Sequence, residues 1–142
     1  MTATASHSAP DPASFLRKSL RGNALFSILS GLTFVAASGA VAEILGAVTP
    51  IEVIVMGVQL LLFAGVLLFL ASRPEVSARL TIGVIVADVL WVIGTVVIVY
   101  ADLLTSSGAV LAVMIADIVL LMAIFQSIGV RRMTRAKRTA RT

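Results

Sequence analysis

The stretch LTIGVIVADVLWVIGTVVIVYA, residues 80–101, determines the fold class of this chain. Asp88 is the only charged residue within it. A helix of about 22 residues is about 33 Å long, which is enough to cross a hydrocarbon core of about 30 Å. The stretch therefore predicts a transmembrane helix.

Three further apolar runs of similar length occur along the chain. They cover residues 24–45, 51–72 and 109–130. Glycine, proline and serine, which favour turns, interrupt the sequence between the runs. The four runs together predict an all-α integral membrane protein, a four-transmembrane-helix bundle of up-down-up-down topology.

Polar tails flank the predicted transmembrane domain, which we place at residues 16–130. Residues 1–15 are rich in Ser, Ala, Thr and Pro and have no period that would bury one face, so we expect a disordered tail. Residues 131–142 form a second tail with six basic residues and no acid.

The composition argues against several kinds of site. The chain is 59% hydrophobic and 13% charged, so lipid must cover apolar surface that a soluble core of this size could not hide. It has no cysteine, and its one histidine, His7, lies in the amino-terminal tail, away from the spans. Phosphate-binding loops and nucleophile elbows are also missing from the sequence. We therefore expect no cofactor, no metal and no enzymatic activity.

Basic residues indicate the orientation, because Lys and Arg near spans remain in the cytoplasm. They precede the first run, separate the second from the third and follow the fourth: Arg17, Lys18, Arg21, Arg73, Arg79, Arg131, Arg132, Arg135, Lys137, Arg138 and Arg141. The opposite connections carry only the acids Glu43, Glu52 and Asp102. Both termini are therefore expected inside. In length, number of spans and arginine pattern the chain resembles small four-helix bacterial membrane proteins, which implies the bacterial cytoplasmic (inner) membrane.

The first run has an alternative interpretation as a signal peptide. Basic residues precede it, and the small residues Ala40, Val41 and Ala42 resemble a cleavage site before Glu43. At about 22 residues, however, the run is longer than the apolar core of about 7 to 15 residues found in signal peptides. We favour an uncleaved span.

Two acidic residues fall inside predicted spans. Asp88 lies near the middle of the third and Asp117 near the middle of the fourth, where an aspartate costs at least about 2.5 kcal/mol on insertion. Both could remain protonated and donate hydrogen bonds to neighbouring helices. Alternatively, they could exchange protons along a wet pathway toward Glu43 or Asp102, as carboxylates in membrane pumps do.

Helical spacing predicts which faces turn inward. Thr81, Asp88, Trp91, Thr95 and Asp102 share one stripe of the third span, which we expect to face the bundle interior. The first span carries a stripe of small and weakly polar residues that predicts close helix packing. These residues are Asn23, Ser27, Ser30, Gly31, Ala37 and Ser38.

The second and fourth spans add two amides. Gln59 lies near the depth expected for Asp117, whereas Gln126 lies on the side of its helix opposite Asp117. We take five residues as a candidate intramembrane polar or proton site. They are Asp88, Asp117, Gln59, Trp91 and Thr95.

The basic tail predicts a contact with lipid. Each Lys or Arg near an anionic leaflet contributes about 1 kcal/mol to binding. The expected headgroup contacts are Arg131, Arg132, Arg135, Lys137 and Arg138. Because the tail has no aromatic residue on which bases could stack, we expect no nucleic-acid partner. The expected protein partner is a second copy of the chain or another membrane protein.

Two functions are compatible with these features. The absence of recognisable chemistry favours a non-catalytic accessory, assembly or scaffolding subunit. The alternative is a small oligomeric proton-coupled transporter or channel, in which Asp88 and Asp117 carry protons and Gln59 and Trp91 line the path.

Overall fold

A computed structural model describes residues 13–139, which form five helices joined by short turns. The helices are α1 (Ser14–Ala36), α2 (Ser38–Leu45), α3 (Pro50–Ser72), α4 (Ala78–Tyr100) and α5 (Ser106–Thr139). No strand occurs among these residues, which confirms the all-α prediction. Most of the predicted disordered tail, residues 1–12, lies outside the described residues, but its end at residues 14–15 belongs to α1.

Three helices are each long and apolar enough to cross a membrane, namely α3, α4 and α5. The pair α1 and α2 meets the same criterion only when taken together, and the two helices are bent by 94° relative to each other. The described residues therefore contain three spans, or four if the bent pair is one span.

The structure corrects the predicted first span, residues 24–45. The helix begins ten residues earlier, because Leu16 and Leu20 continue the packing face of α1 and are fully buried. It ends at Ala36, and Ala37 leaves the helical conformation with φ −118° and ψ 31°. Sharp bends in helices often occur at pairs of Gly and Ser. Ser38 and Gly39 directly follow Ala37 and form such a pair.

The other helix ends follow local sequence signals. Thr49 and Glu52 form a capping box at the start of α3: the Thr49 amide donates to Glu52 Oε2 at 2.7 Å, and the Glu52 amide donates to Thr49 Oγ1 at 3.3 Å. Pro50 occupies the first helical position, where a missing N–H costs nothing. Ser77 caps α4 by accepting from the Leu80 amide.

The helix α5 is longer than its predicted span, residues 109–130. It continues without interruption to Thr139, so the basic tail is helical over residues 131–139. The 34 residues of α5 correspond to a length of about 51 Å, well beyond a hydrocarbon core of about 30 Å. The basic residues therefore extend past the apolar part of the helix on a rigid segment.

The packing order of the helices differs from their order along the chain. The helix α1 lies between α3 and α5, and α4 packs against α5 on the far side. The helices α3 and α4 are consecutive, but they make few contacts with each other. The lateral order is therefore α3, α1, α5, α4, with an opening between α3 and α4.

Two glycines bring α1 and α3 into backbone contact. A Cβ atom at Gly31 would lie 2.8 Å from the Gly57 carbonyl oxygen, and a Cβ atom at Gly57 would lie 2.8 Å from the Gly31 carbonyl oxygen. Distances this short leave no room for any side chain at the crossing. The contact agrees with the close packing predicted from the small-residue stripe of the first span.

Two apolar clusters fill the bundle, one toward each end. One contains residues of α1, α3, α4 and α5 near the basic groups: Ala13, Leu16, Leu20, Ala24, Ala64, Leu67, Leu70, Ala71, Val76, Val84 and Met133. The other lies near the acids: Phe34, Val41, Ala42, Leu45 and Val53. We call these two ends of the molecule the basic end and the acidic end.

Polar contacts connect the helices at both ends. At the basic end the Arg17 guanidinium donates to the carbonyls of Ala71, Arg73 and Pro74, and so neutralises the negative end of the α3 dipole. At the acidic end the Thr105 amide donates to the Leu45 carbonyl at 3.0 Å. These contacts hold each end of the bundle while the middle of the α3–α4 face stays open.

Candidate functional site

The candidate site is centred on Asp88, which α4 carries into the interior of the bundle. Its side chain is only 4% exposed. The Asn23 carboxamide of α1 donates from Nδ2 to Asp88 Oδ2 at 2.8 Å. Asn23 itself is 1% exposed, so this hydrogen bond between helices is shielded from solvent and from lipid.

Gln126 of α5 completes the polar cluster. It is fully buried and lies close to the Asp88 carboxyl. Neither its Oε1 nor its Nε2 makes a hydrogen bond of acceptable geometry with any residue that the structure describes. A buried amide without a partner costs about 1–3 kcal/mol, so this cluster retains unused hydrogen-bonding capacity. We refer to Asn23, Asp88 and Gln126 as the polar cluster.

A cavity of about 230 Å³ adjoins the polar cluster. The polar residues that line it are Asn23, Asp88, Ser27, Ser30 and Gln59. The rest of the wall is apolar and includes four aromatic rings. These are Phe26, Phe34, Phe63 and Trp91.

A second cavity of about 520 Å³ continues from the first toward the acidic end. Both are lined by Phe34, Trp91 and Ile115, which therefore lie between them. Leu45 at the end of α2 and Leu104 in the turn before α5 also line the larger cavity. We call the two cavities together the interhelical cleft. It separates α3 from α4, and the apolar cluster of the basic end closes it on the other side.

Four of the five predicted site residues line the interhelical cleft. Asp88, Gln59 and Trp91 border the smaller cavity, and Trp91 and Thr95 border the larger one. The Thr95 hydroxyl donates to the Trp91 carbonyl at 3.0 Å, so its hydrogen is satisfied within α4.

Asp117 does not join the other predicted site residues. It is exposed on the outer face of α5. It lies nine residues before Gln126, which places the two side chains on opposite sides of the helix. The sequence places Asp117 and Gln126 on opposite sides of the fourth span, but it does not show which of the two faces the bundle. A pathway through both Asp88 and Asp117 therefore does not exist within a single copy of the chain.

The predicted acidic exits also lie elsewhere. Asp102 was expected on the inward stripe of the third span, but it is exposed and falls beyond the end of α4, where its backbone turns to φ 54°. Glu43 is exposed on α2, and neither residue lines the cleft. The inward orientation predicted for this stripe is confirmed for Thr81 and Asp88, which are buried.

Sequence reasoning missed two residues of the polar cluster. Asn23 was assigned to helix packing, and Gln126 was noted only for lying opposite Asp117. Both are carboxamides within or at the edge of an apolar run, where an amide without a hydrogen-bond partner is costly. That cost indicates that each of them has a polar partner on another helix. The sequence does not show that Asn23 pairs with Asp88, because the two residues are 65 positions apart.

The predicted headgroup residues are exposed at the end of α5. These are Arg131, Arg132, Arg135, Lys137 and Arg138. The Arg132 guanidinium lies 5.0 Å from the centre of the Phe15 ring, and Lys137 lies 3.6 Å from the Glu75 carboxylate. Their positions on a helix that emerges from the bundle are compatible with contact to phosphate groups.

The chemistry available at the site is that of one carboxyl with amide and hydroxyl neighbours. Among residues 13–139 no group of three or more His, Asp or Glu side chains lies close enough to hold a metal ion. A single buried carboxyl can bind a proton or balance one positive charge. Comparisons with protein-family models, curated proteins and solved structures found no match to this chain.

Proposed function

We propose that the chain is a multi-pass protein of the bacterial cytoplasmic membrane, with four spans and both termini inside. In support, every basic residue among residues 13–139 lies at the basic end of the helices or on the extension of α5. Lys and Arg of short connections stay on the cytoplasmic side, so the basic end faces the cytoplasm. The bent pair α1 and α2 then forms the first span, with α2 at the outer surface.

We further propose that the protein is a small proton-coupled transporter in which Asp88 carries the proton. One observation supports this over an accessory role: Asp88 is the only buried ionisable side chain among residues 13–139, and it borders the interhelical cleft. A carboxyl that served only to hold helices together would need no adjoining cavity.

The surroundings of Asp88 make it the sole proton carrier of the cleft. The side chains near it from the other packed helices are Asn23 and Ser27 of α1, Gln59 of α3 and Gln126 of α5. None of these groups is charged or titrates. Protonation of Asp88 therefore changes the net charge of the cleft by one unit, which is the electrical step that coupled transport requires.

The packing also offers a route for alternating access. The cleft opens between α3 and α4, and apolar residues border it at both ends: Leu45, Val48 and Leu104 at the acidic end, and the apolar cluster at the basic end. The pair α1 and α3 meets the pair α4 and α5 chiefly where α1 packs on α5, so α4 and α5 could tilt together about that contact. Such a movement would open the basic end and expose Asp88 to the cytoplasm.

Infrared difference spectroscopy of the carboxyl stretch in nanodiscs tests the proposal. We expect a band that responds to pH, that shifts in D₂O, and that disappears in Asp88→Asn. Asp117→Asn is the matched control, since it removes an acid of the same type outside the cleft. A carboxyl at position 88 that neither titrates nor exchanges with solvent would contradict transport.

A second candidate function is the non-catalytic accessory or scaffolding role, and the position of Asp117 favours it. This acid is exposed at mid-span on the outer face of α5, where lipid offers no hydrogen-bond partner. A second copy or another membrane protein would supply one.

Native mass spectrometry in mild detergent tests this second candidate. The accessory role predicts an oligomer or a co-purifying membrane protein that is lost in Asp117→Leu. It should be retained in Asp102→Leu, which removes an exposed acid from the acidic end instead. A monomer without partners in the wild-type protein would exclude this role.

A further inference from the structure

We infer that the smaller cavity of the interhelical cleft binds a primary ammonium group carried on an aromatic body, with Asp88 as the counter-ion. This inference rests on the proposed transport function, because it names the class of substrate for the same site. It is carried by the lining of the cavity and by the distribution of charge around it.

The charge at the site is complementary to a cation. Among residues 13–139, the lining of both cavities contains one acid and no Lys, Arg or His. The Asn23 amide, which donates a hydrogen bond to Asp88, is neutral. An ionised Asp88 therefore lacks a positive partner among residues 13–139, which a bound cation would provide.

The hydrogen-bonding groups of the cavity suit an ammonium. An –NH₃⁺ group has three donors and no acceptor, so it requires several oxygen atoms on one side. Four of the residues that line the cavity carry side-chain oxygen atoms that can accept from an ammonium, namely Asp88, Ser27, Ser30 and Gln59. Gln126, whose carboxamide oxygen is unused, lies beside the carboxyl.

The aromatic rings suit the rest of the ligand. Phe26, Phe34, Phe63 and Trp91 surround the space next to Asp88. Aromatic faces attract cations within about 6 Å of the ring centre, and they also pack against other rings. An apolar cavity of about 150 Å³ is known to hold benzene, so about 230 Å³ can hold one ring with a short aminoalkyl chain.

Binding of this kind exchanges a proton for a cation. When a neutral Asp88 takes up the ammonium, its carboxyl proton passes to water in the cleft, and the carboxylate then pairs with the cation. The charge of the occupied site is zero before and after the exchange. Proton and cation would therefore move in opposite directions across the membrane.

Calorimetry on the purified full-length protein in detergent tests the inference, with 2-phenylethylammonium as the probe. The neutral 2-phenylethanol, nearly identical in shape, is the matched ligand control. We expect the ammonium to bind about 10- to 100-fold more tightly than the alcohol, because it alone forms a charge-assisted hydrogen bond with Asp88. Equal affinity for the two ligands would overturn the inference.

Three variants locate the site. Asp88→Asn, with its fold verified by circular dichroism, should lose about 10- to 100-fold in ammonium affinity, and Trp91→Leu about 2- to 30-fold. Asp117→Asn should bind as the wild-type protein does, because that residue lies outside the cleft. Unchanged affinity in folded Asp88→Asn would overturn the assignment.

The result can be separated from the test of transport. If Asp88 exchanges protons with solvent but 2-phenylethylammonium does not bind, the ligand class is wrong and proton-coupled transport stands. If the ammonium binds in an Asp88-dependent way but the carboxyl never exchanges its proton, the ligand class stands and coupled transport is wrong.

Discussion

At the scale of single residues, the same type of side chain has different consequences in different places. Asp88 and Asp117 both lie near the middle of an apolar helix and both follow an alanine. Asp88 is buried against Asn23, whereas Asp117 is exposed on the outside of α5. Only the first therefore borders a cavity, and the second is available to an external partner.

The hydrogen bond between Asn23 and Asp88 should contribute to stability. We expect Asn23→Ala to lower the free energy of unfolding in detergent by about 0.6 to 2 kcal/mol, which is the range measured for hydrogen bonds between membrane helices. The same variant should shift the Asp88 carboxyl stretch in the infrared, since the carboxyl loses its amide donor.

Thr33→Ala is the control for this prediction. The Thr33 hydroxyl donates to the Leu29 carbonyl within α1 and is exposed, so its removal should change stability by no more than about 0.5 kcal/mol. If Asn23→Ala and Thr33→Ala were equally stable and had identical carboxyl bands, the hydrogen bond would not exist in the membrane.

At the scale of helices, two features decide how the cleft forms. The contact of Gly31 with Gly57 fixes α3 tightly against α1. On the other side, α4 is held by α5 rather than by α3, although the turn between α3 and α4 is short. The cleft is therefore the space that remains when α1 and α5 become neighbours.

The glycine contact should tolerate no side chain. In Gly57→Ala the new methyl group would approach the Gly31 carbonyl oxygen to 2.8 Å and Val35 Cγ2 to 2.9 Å. Overpacking of this kind costs about 1–3 kcal/mol, so we expect lower thermal stability in detergent.

Gly65→Ala is the matched control, because it lies on the same helix and a Cβ atom there meets nothing within 4 Å. Its stability should be unchanged or slightly higher, since Ala favours helix more than Gly does. Equal losses in both variants would mean that α1 and α3 do not cross at Gly57.

At the scale of the whole molecule, charge separates the two ends. The basic groups occupy one end and the extension of α5, and the acids Glu43, Glu52 and Asp102 occupy the other. Under the proposed topology this arrangement would favour a single orientation, because moving the basic end outward would carry Lys and Arg across the membrane.

Single-cysteine labelling can verify this orientation, since the chain has no natural cysteine. Ser107 and Thr134 are both exposed on α5, one near each end. A membrane-impermeant maleimide added to intact bacterial cells should label Ser107→Cys and not Thr134→Cys. Lysis should make Thr134→Cys reactive. The reverse pattern would place the basic end outside and contradict the proposed topology.

The sequence by itself determined the all-α class, the bounds of α3 and α4 to within two residues, and the grouping of the charges. Apolar length, turn residues and the capping signals around Thr49 and Ser77 are local, so they could be read directly from neighbouring positions. The tertiary structure decided the bend at Ala37, the lateral order of the helices, and which polar residues meet. In a span that is apolar on every side, hydrophobic contrast does not distinguish the packed face from the lipid face. The burial of Asp88 and the exposure of Asp117 therefore depend on how helices distant in sequence pack together.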